Sequence, residues 1–359
     1  MAVSLVDCSA DLLPSLRQFL ARAYRPDYIL CRDEALFRWQ FGEATNGDGN
    51  VYRLKLARLN DQIVGCLGYI PVDVSLGGRI VCGVWVINWM VDPLQRRLGL
   101  GPLLMREVTD QFDVALNVGL NSDARDLLSR MGWTDFGELA RYVCVVDVGA
   151  AGALTRTGKL QWPAVAARLG EEHPPKEIIT SLVNRFCDDA TQLWDAVWGR
   201  QAAGTYRSAG FLNRRYVEHP IFKYRLYELR QKGRLSGLAV YRVEQVQDMS
   251  VRVGRIVEFV SLPDVEEYLL RAVLDDALSQ SVAAVDFFCS SRRLSEMMIR
   301  QGFLAGEDEA AAQLPTLFQP IDWKRQSISF MAYLRNAPDA TELDDWYVTK
   351  GDGDQDRPN

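Results

Sequence analysis

Hydrophobic periodicity divides the first part of the chain into a helix and three strands. Apolar side chains recur every three to four positions over residues 12–24, which predicts an amphipathic helix. Residues 52–59 and 63–72 are predicted to form strands and are joined by the turn-forming sequence Asn60-Asp61-Gln62, which predicts a β-hairpin. The apolar segment 79–91 then predicts a buried strand.

Two glycines separate the strand at 79–91 from a second predicted helix. Apolar residues recur every four positions over 104–112, and Pro102 fits the first turn of that helix, where a missing N–H does no harm. Gly99 and Gly101 lie between the two elements. Glycines there let backbone N–H groups approach an anion closely, and a helix N-terminus adds partial positive charge. The pattern therefore predicts a diphosphate-binding loop.

Strands and helices continue to alternate after this loop. Residues 114–118 predict a strand, and 121–133 predict a short helix closed by Gly132. A further strand is expected at 142–146. These elements predict an α/β (α+β) fold in which helices flank a mixed sheet.

The loop sequence resembles that of a known family. From Val91 to Gly101 the chain follows V-x-P-x-x-R-x-x-G-x-G, which resembles the acyl-CoA loop of the GCN5-related N-acetyltransferase (GNAT) superfamily. The order differs from the G-x-G-x-x-G of dinucleotide-binding folds. The short helix that begins near Asn121 and ends at Gly132-Trp133 resembles a second GNAT signature. The resemblance implies that acetyl-CoA is the co-substrate and that an amine attacks its thioester directly.

The resemblance also implies which residues contact coenzyme A. Pantetheine is expected against the strand end and against Asn121, and the diphosphate against the loop. The expected contacts are Trp89, Met90 and Val91 for pantetheine, and Arg96, Arg97, Leu98, Gly99, Leu100 and Gly101 for the diphosphate.

Both ionisable helpers that the family often uses are missing here. Leu128 stands where many members have a tyrosine that protonates the leaving thiolate, and Leu116 where a carboxylate base is often found. The candidate catalytic residues are therefore His219 and Tyr216, with Asn88 as a group that orients the substrate. The alternative for His219 is a purely structural role in a proline turn.

An internal repeat links the two parts of the chain. Residues 53–65 match residues 225–237 without a gap, and Gly132-Trp133 has a counterpart in Gly302-Phe303. This predicts two tandem GNAT-like folds. In the second copy, residues 261–267 contain three acids and no glycine, so this copy is not expected to bind coenzyme A.

The repeat and the composition together suggest domain boundaries. We expect a GNAT domain at 1–148, a linker at 149–160 and a second GNAT-like domain without the coenzyme A loop at 161–335. Residues 336–359 are expected to form an acidic tail that is mobile at its end.

Composition restricts the partners. The formal net charge of −6 argues against nonspecific nucleic-acid binding. Seven cysteines without metal-ligand spacing indicate free thiols in a reducing compartment and no metal site. Neither a signal-peptide pattern nor a transmembrane run is present, so we expect a cytoplasmic protein without a membrane partner, as a monomer or homodimer.

The predicted function is transfer of an acyl group, expected to be acetyl, from acyl-CoA to a primary amine of a small molecule, with a nucleotide-linked amino sugar as one candidate. Two alternatives stay open. One is a Fem-type aminoacyl transferase that uses aminoacyl-tRNA, and the other is a non-catalytic module that binds coenzyme A or a related ligand. Trp39 and Trp89 fit either core packing or a stacking surface for a sugar or base.

Overall fold

The computed structural model describes residues 3–42, 51–162, 174–199, 201–323, 328–335 and 342–358. The loop expected at 43–50 lies outside the described residues, as do parts of the predicted second domain and of the predicted tail.

The described part of the chain contains sixteen strands, several of which match the predicted segments closely. They are β1 (Val3–Ser9), β2 (Val51–Leu59), β3 (Gln62–Leu76), β4 (Arg79–Val91), β5 (Val114–Val118), β6 (Thr134–Val145), β7 (Ile178–Val183), β8 (Gly204–Thr205), β9 (Arg225–Gln231), β10 (Arg234–Gln245), β11 (Arg252–Ser261), β12 (Val282–Cys289), β13 (Leu304–Ala305), β14 (Leu317–Phe318), β15 (Ile321–Asp322) and β16 (Ile328–Leu334).

Ten α-helices lie between these strands in the described residues. They are α1 (Leu13–Ala23), α2 (Ile29–Arg32), α3 (Glu34–Phe41), α4 (Leu100–Thr109), α5 (Ser122–Arg130), α6 (Val148–Gly152), α7 (Asp189–Val197), α8 (Ala209–Leu212), α9 (Glu266–Ser279) and α10 (Arg292–Arg300). A 3-10 helix, Pro93–Leu98, precedes α4, and a π-helical turn, Asn213–Val217, follows α8.

One continuous mixed sheet runs through the molecule in the order β1-β2-β3-β4-β5-β16-β6-β12-β11-β10-β9-β7. The predicted hairpin is β2–β3, with its turn at the left-handed residues Asn60 and Asp61. The mixed sheet flanked by helices that the sequence predicts is confirmed.

Strands from distant parts of the chain join the two halves of this sheet. β16 lies between β5 and the first part of β6, antiparallel to both. The second part of β6, residues 140–145, leaves this position and pairs with β12 and β13. Each half of the sheet is therefore completed by a strand from the other part of the chain.

The same order of pairing occurs in both halves. β1-β2-β3-β4-β5 is antiparallel except for the parallel pair β4–β5. β7-β9-β10-β11-β12 is antiparallel except for the parallel pair β11–β12. The two segments that match in sequence, 53–65 and 225–237, lie on the corresponding hairpins. That the second half is a copy of the first stays a prediction.

Different helices cover the two faces of the first half of the sheet. On one face, Leu104 of α4 and Val86 of β4 belong to the same buried cluster. On the other face, Phe37 of α3 shares a cluster with Trp85 of β4 and Leu116 of β5. Ligands that approach β4 from the two faces therefore meet different helices.

The stretch predicted as a linker is part of the folded body. Val148–Gly152 forms α6, which packs beside β12, and Ala151 and Leu154 are buried. Small residues in this stretch allow close packing, which composition alone does not distinguish from a flexible connection.

The tail expected to be mobile at its end is also packed into the molecule. Residues 342–358, called the C-terminal segment below, are largely buried. Asp352 and Asp356 are each about 1% exposed and are paired with buried arginines. The acidic composition reflects these internal ion pairs, so the expectation of a mobile end is wrong for the described residues.

None of the helices in the described residues combines the length and the apolar character needed to cross a bilayer.

Candidate functional site

The parallel strands β4 and β5 separate near Val86. Residues 83–85 pair with residues 114–116, and Asn117 Nδ2 then donates to Val86 O at 2.7 Å. β4 continues to Val91, while β5 ends at Val118. A gap between two diverging strands, called the first gap below, therefore opens beyond Val86.

A β-bulge lies on β4 beside the first gap. The register with β3 shifts between Cys66, opposite Met90, and Gly68, opposite Ile87, so that β4 has one residue more than its partner. Asn88 lies in this bulge with φ of +50°. Bulges redirect side chains and main-chain N–H groups out of the regular ladder.

The loop after β4 has the predicted strand–turn–helix geometry. Asp92 Oδ1 accepts from Leu94 N at 3.0 Å and begins the 3-10 helix. Gly99 is left-handed, with φ of +68°, and α4 begins at the next residue. No side chain caps the N-terminus of α4, so its first N–H groups are available to an anion. Arg96 and Arg97 are exposed beside it.

The indole of Trp89 packs against the start of α4. Its Nε1 donates to Gly101 O at 3.2 Å. A Cβ atom on Gly101 would lie 3.2 Å from Trp89 Cζ2, closer than an ordinary contact. A side chain at position 101 would therefore crowd the indole ring. The ring packs on the loop and is half-buried rather than part of a deep core.

The predicted pantetheine contact Asn121 caps a helix. Its Oδ1 accepts from Ala124 N at 2.9 Å at the start of α5, and the residue is exposed. Leu116 and Leu128 are completely buried, in apolar clusters on opposite faces of the sheet. The structure therefore offers no ionisable group at these two positions.

Asn88 has a partner that the sequence analysis did not identify. The hydroxyl of Tyr28, from the connection between α1 and α2, donates to Asn88 Oδ1 at 2.5 Å. Asn88 Nδ2 is buried and has no hydrogen-bond partner among the described residues. Burial raises the pKa of Tyr28, so the hydroxyl keeps its proton at neutral pH. A single tyrosine in a connecting segment gives no sequence signal for this contact.

The geometry of His219 does not support the predicted role as a base. Nδ1 accepts from Ile221 N at 3.2 Å and from Phe222 N at 2.9 Å, and the ring stacks on Phe222. Burial and the nearby cation of Arg215 lower the pKa of His219 to about 3. Its acceptor nitrogen is thus occupied in the turn, and in the neutral ring the other nitrogen carries the proton. The structural alternative fits these contacts.

Tyr216 lies in a buried polar cluster in the second half. Its hydroxyl donates to Glu258 Oε2 at 3.2 Å, and burial together with Glu258 raises its pKa well above the usual value. Tyr216 thus bonds to Glu258, whereas the hydrogen bond of Asn88 is with Tyr28. The structure does not join the three candidate catalytic residues by hydrogen bonds.

The C-terminal segment fills the corresponding gap between β11 and β12. Thr349 Oγ1 donates to Val257 O at 2.7 Å on β11, and Val348 O accepts from Ser290 N at 3.0 Å just after β12. Tyr347 OH accepts from Phe259 N at 3.1 Å. The main chain of this segment thus occupies the position that corresponds to the first gap.

Beyond this gap, the C-terminal segment runs along the junction of the two halves. Arg207 is paired with Glu258 and Asp352, and Arg242 with Asp356. Burial alone would raise the pKa of Asp356, but the contact with Arg242 outweighs it and holds the pKa well below its usual value. The segment is therefore held by ion pairs to the second half.

The C-terminal segment also reaches β5. Gln355 Nε2 donates to Val118 O at 3.0 Å, and a Cβ on Gly353 would lie 3.2 Å from the side chain of Val118. One chain end therefore contributes to both gaps, which the sequence analysis did not anticipate.

A small cavity of about 90 Å³ opens beside the first gap. It is lined by residues of α3, β3, β4, the π-helical turn and the C-terminal segment, including Trp39, Gln40, Trp85, Arg215 and Gly353. We call it the junction cavity. Trp39 faces it from α3, and its Nε1 donates to Arg214 O at 3.2 Å. This tryptophan therefore lies at a cleft between the halves.

The described residues contain no group of three or more His, Cys, Asp or Glu side chains arranged to hold a metal ion.

Comparisons with known proteins agree with this geometry. Residues 32–134 match the family model described as an acetyltransferase (GNAT) domain. A GCN5-related N-acetyltransferase from Anabaena variabilis is similar in structure, with 13% identity, a TM-score of 0.59, and coverage of 93% of this chain and 73% of that one. Another from Kribbella flavida has 17% identity and a TM-score of 0.58, over 94% and 73% of the two chains. No curated protein matches the sequence significantly.

The family match includes β2 to β5, the bulge at Asn88, the loop to α4 and the helix α5. The structural likeness extends over nearly the whole chain. Residues 32–134 therefore match the model of a GNAT acetyltransferase domain, and nearly the whole chain has a fold similar to that of solved GCN5-related N-acetyltransferases.

Proposed function

We propose that this protein is an acetyl-CoA-dependent N-acetyltransferase that modifies the primary amine of a small molecule. The observation that carries the proposal is the uncapped N-terminus of α4, placed directly after Gly99 and beside the first gap. Backbone N–H groups at such a helix end bind phosphate without a counter-charge from a side chain. A nucleotide-linked amino sugar is one candidate acceptor.

In this proposal, the loop and the end of β4 bind different parts of acetyl-CoA. The N–H groups of Leu100 and Gly101, with the exposed Arg96 and Arg97, bind the diphosphate of coenzyme A. The end of β4 from Trp89 to Val91 runs along the pantetheine arm. Acetyl-CoA supplies the acyl group as a thioester, and a main-chain N–H near Met90 stabilises the oxyanion that forms when the amine attacks.

The pair Tyr28–Asn88 would position the reacting groups. Because Tyr28 donates to Asn88 Oδ1, the amide has one fixed orientation, with Nδ2 unpaired and buried. A buried donor without a partner is costly unless a ligand satisfies it. Nδ2 is therefore a donor for a substrate oxygen, and Asn88 has the orienting role that its residue type suggests.

The second half would shape the acceptor side rather than bind a second coenzyme. The C-terminal segment fills the gap between β11 and β12 with hydrogen bonds to both strands. The acids at 261–267, where the sequence repeat places the loop, further oppose a diphosphate there. These two observations support a second GNAT-like copy without the coenzyme A site.

The loop assignment is tested by comparing two glycines. Gly99 and Gly158 have φ of +68° and +70°, and a Cβ on either would meet nothing within 4 Å. Valine therefore imposes a similar backbone strain at both positions, but only residue 99 adjoins the N-terminus of α4. We expect Gly99→Val to raise the acetyl-CoA Kd, measured by calorimetry, more than tenfold and Gly158→Val to leave it unchanged. An unchanged Kd in Gly99→Val contradicts the proposal.

The buried Leu116 and Leu128 keep one alternative open, a module that binds coenzyme A without catalysis. A thiol-release assay over a library of amines separates the two. Turnover with any amine supports the enzyme, while tight acetyl-CoA binding with no turnover supports the binding module. The Fem-type alternative predicts that aminoacyl-tRNA, not acetyl-CoA, is bound.

A further inference from the structure

Two buried donors at the junction cavity have no partner within the described part of the chain. Gln40 is 5% exposed and Arg215 is 8% exposed, and both line the cavity. Gln40 Nε2 and Arg215 Nη1 have no hydrogen-bond partner among the described residues. Buried polar groups are normally paired, so two such donors at one cavity indicate an acceptor group that the described residues do not supply.

Arg215 is not neutralised by a hydrogen-bonded carboxylate. Its Nε donates to Gly351 O at 2.9 Å and its Nη2 to Asp356 O at 3.1 Å, and both acceptors are main-chain carbonyls. The guanidinium carbon lies 5.5 Å from the ring centre of Trp39. These contacts fix the guanidinium of Arg215, and Nη1 is the donor that has no partner among the described residues.

The nearby acids are already engaged. Asp352 accepts from Arg207 and from Thr205 Oγ1, and Asp356 accepts from Arg242 and Tyr224. They pair with other arginines although their charges also act on Arg215. The positive charge of Arg215 at the cavity is thus not cancelled by a direct ion pair.

The lining of the cavity has one sign of charge. Arg53 and Arg214 line it together with Arg215, and none of the described residues that line it is acidic. A guanidinium presents paired N–H donors that match carboxylate and phosphate oxygens. The volume of about 90 Å³ suits one such group rather than a whole nucleotide.

We propose that the junction cavity binds the anionic group of the acceptor, so that the substrate class is a small amine carrying a carboxylate or phosphate. The contacts would be Arg215 Nη1 and Gln40 Nε2. This inference rests on the proposed acetyl transfer only for the identity of the acceptor. The anion site itself follows from the cavity and its donors.

The position of the cavity fits this role. Trp85 lines it, and Asn88 follows three residues later on the same strand, about 10 Å away at the rise of a β-strand. Gly353, which lies beside Val118 of β5 and the ring of Trp85, also lines the cavity. An acceptor anchored here by its anion would place an amine several bonds away at the first gap, on the face opposite α4.

The test compares matched amines in the thiol-release assay with acetyl-CoA. Each pair consists of an amine with a carboxylate or phosphate and its neutral amide or alcohol analogue. We expect kcat/KM to be at least tenfold higher for the anionic member. The carboxylate and phosphate arms show which oxyanion the cavity prefers. Equal kcat/KM within every pair would overturn the proposal.

Variants test whether the preference for anionic acceptors arises at the junction cavity. Gln40→Leu replaces the amide donor with an apolar side chain, and we expect it to raise KM for the anionic acceptor at least fivefold without changing KM for the neutral analogue or the acetyl-CoA Kd. Arg215→Lys is the second variant. Arg185→Ala, an exposed arginine paired with Glu218, is the control and should change none of these values. A loss of the same size for both analogues contradicts the anion site.

A binding measurement that requires no catalysis tests the anion site independently of the proposed function. Inorganic phosphate and acetate are titrated against the full chain by calorimetry or chemical-shift perturbation. Saturable binding that Gln40→Leu weakens supports the anion site even if no amine is acetylated. Absence of saturable binding, together with equal turnover of anionic and neutral amines, excludes it.

Discussion

The hydrogen bond from Tyr28 to Asn88 shows how one side chain can fix the orientation of another at the candidate site. Asn88 lies in the bulge of β4, and its Oδ1 accepts from Tyr28 while its Nδ2 is left without a partner. The sequence analysis selected Asn88 as an orienting group. It did not select Tyr28, because the two residues are 60 positions apart and their contact depends on how the α1–α2 connection packs on the sheet.

Tyr28→Phe should lower kcat about tenfold and leave the acetyl-CoA Kd unchanged, because the Asn88 amide loses the hydrogen bond that fixes its orientation. Tyr24→Phe is the matched control, since Tyr24 contacts the Tyr28 ring edge-on at 4.7 Å but is exposed. Steady-state kinetics and calorimetry give the two readouts. An unchanged kcat in Tyr28→Phe would remove this pair from the site.

His219 makes the stability of the protein depend on pH. Its folded-state pKa is about 3, against 6.5 for the free side chain, so the unfolded chain binds a proton between these values and the native protein does not. The contribution of the neutral ring is therefore complete above pH 6.5 and is lost as the pH falls toward 3. The stability lost at pH 4, relative to neutral pH, is roughly 3 kcal/mol.

His219→Asn keeps an acceptor for the two main-chain N–H groups but does not titrate. The loss of unfolding free energy between pH 7 and pH 4, measured with urea, should therefore be smaller in the variant by up to that amount. The pH dependence of kcat should follow that of the wild type. A loss of activity confined to neutral pH in the variant would restore His219 as the base.

Among the elements, the C-terminal segment has the largest effect on the site. It fills the gap between β11 and β12, lines the junction cavity through Gly351 and Gly353, and contacts β5 through Gln355. From composition, its acids were interpreted as part of an acidic tail that is mobile at its end. In the structure they are the partners of buried arginines, and neither partner is stable in that environment without the other.

Asp356→Asn should lower the free energy of unfolding by about 3–5 kcal/mol, since it leaves the buried guanidinium of Arg242 without its main counter-charge. Asp344→Asn, in the same segment, is the control. Asp344 is 43% exposed and its ion pair with Arg292 Nε spans 3.9 Å, while asparagine keeps an oxygen that can accept from Arg292 N, now at 2.6 Å, so we expect less than about 0.5 kcal/mol. Urea denaturation of both variants measures the difference. Equal small losses would contradict the ion-pair account of this segment.

On the scale of the whole molecule, the two halves share a sheet but differ in what occupies their gaps. β4 and β5 diverge beside a helix N-terminus that no side chain caps. β11 and β12 diverge around the C-terminal segment. The exchange of β16 and of the second part of β6 connects the halves, so the junction cavity has walls from both.

Local sequence patterns were sufficient to predict the elements of the first half. The hairpin β2–β3, the strand β4, the turn at Gly99 and the helix α4 depend on periodicity and on glycine, whose effects act over a few residues. For the same reason, the strand–turn–helix arrangement at the loop could be predicted. The family resemblance came from that short stretch.

The same patterns did not predict where β16 inserts, how the C-terminal segment is buried, or which donors meet in the junction cavity. These features depend on hydrogen bonds and ion pairs between residues more than 100 positions apart, such as Arg242 with Asp356. Local sequence patterns do not indicate which residues form such pairs, because the partners are brought together only by the packing of the completed sheet.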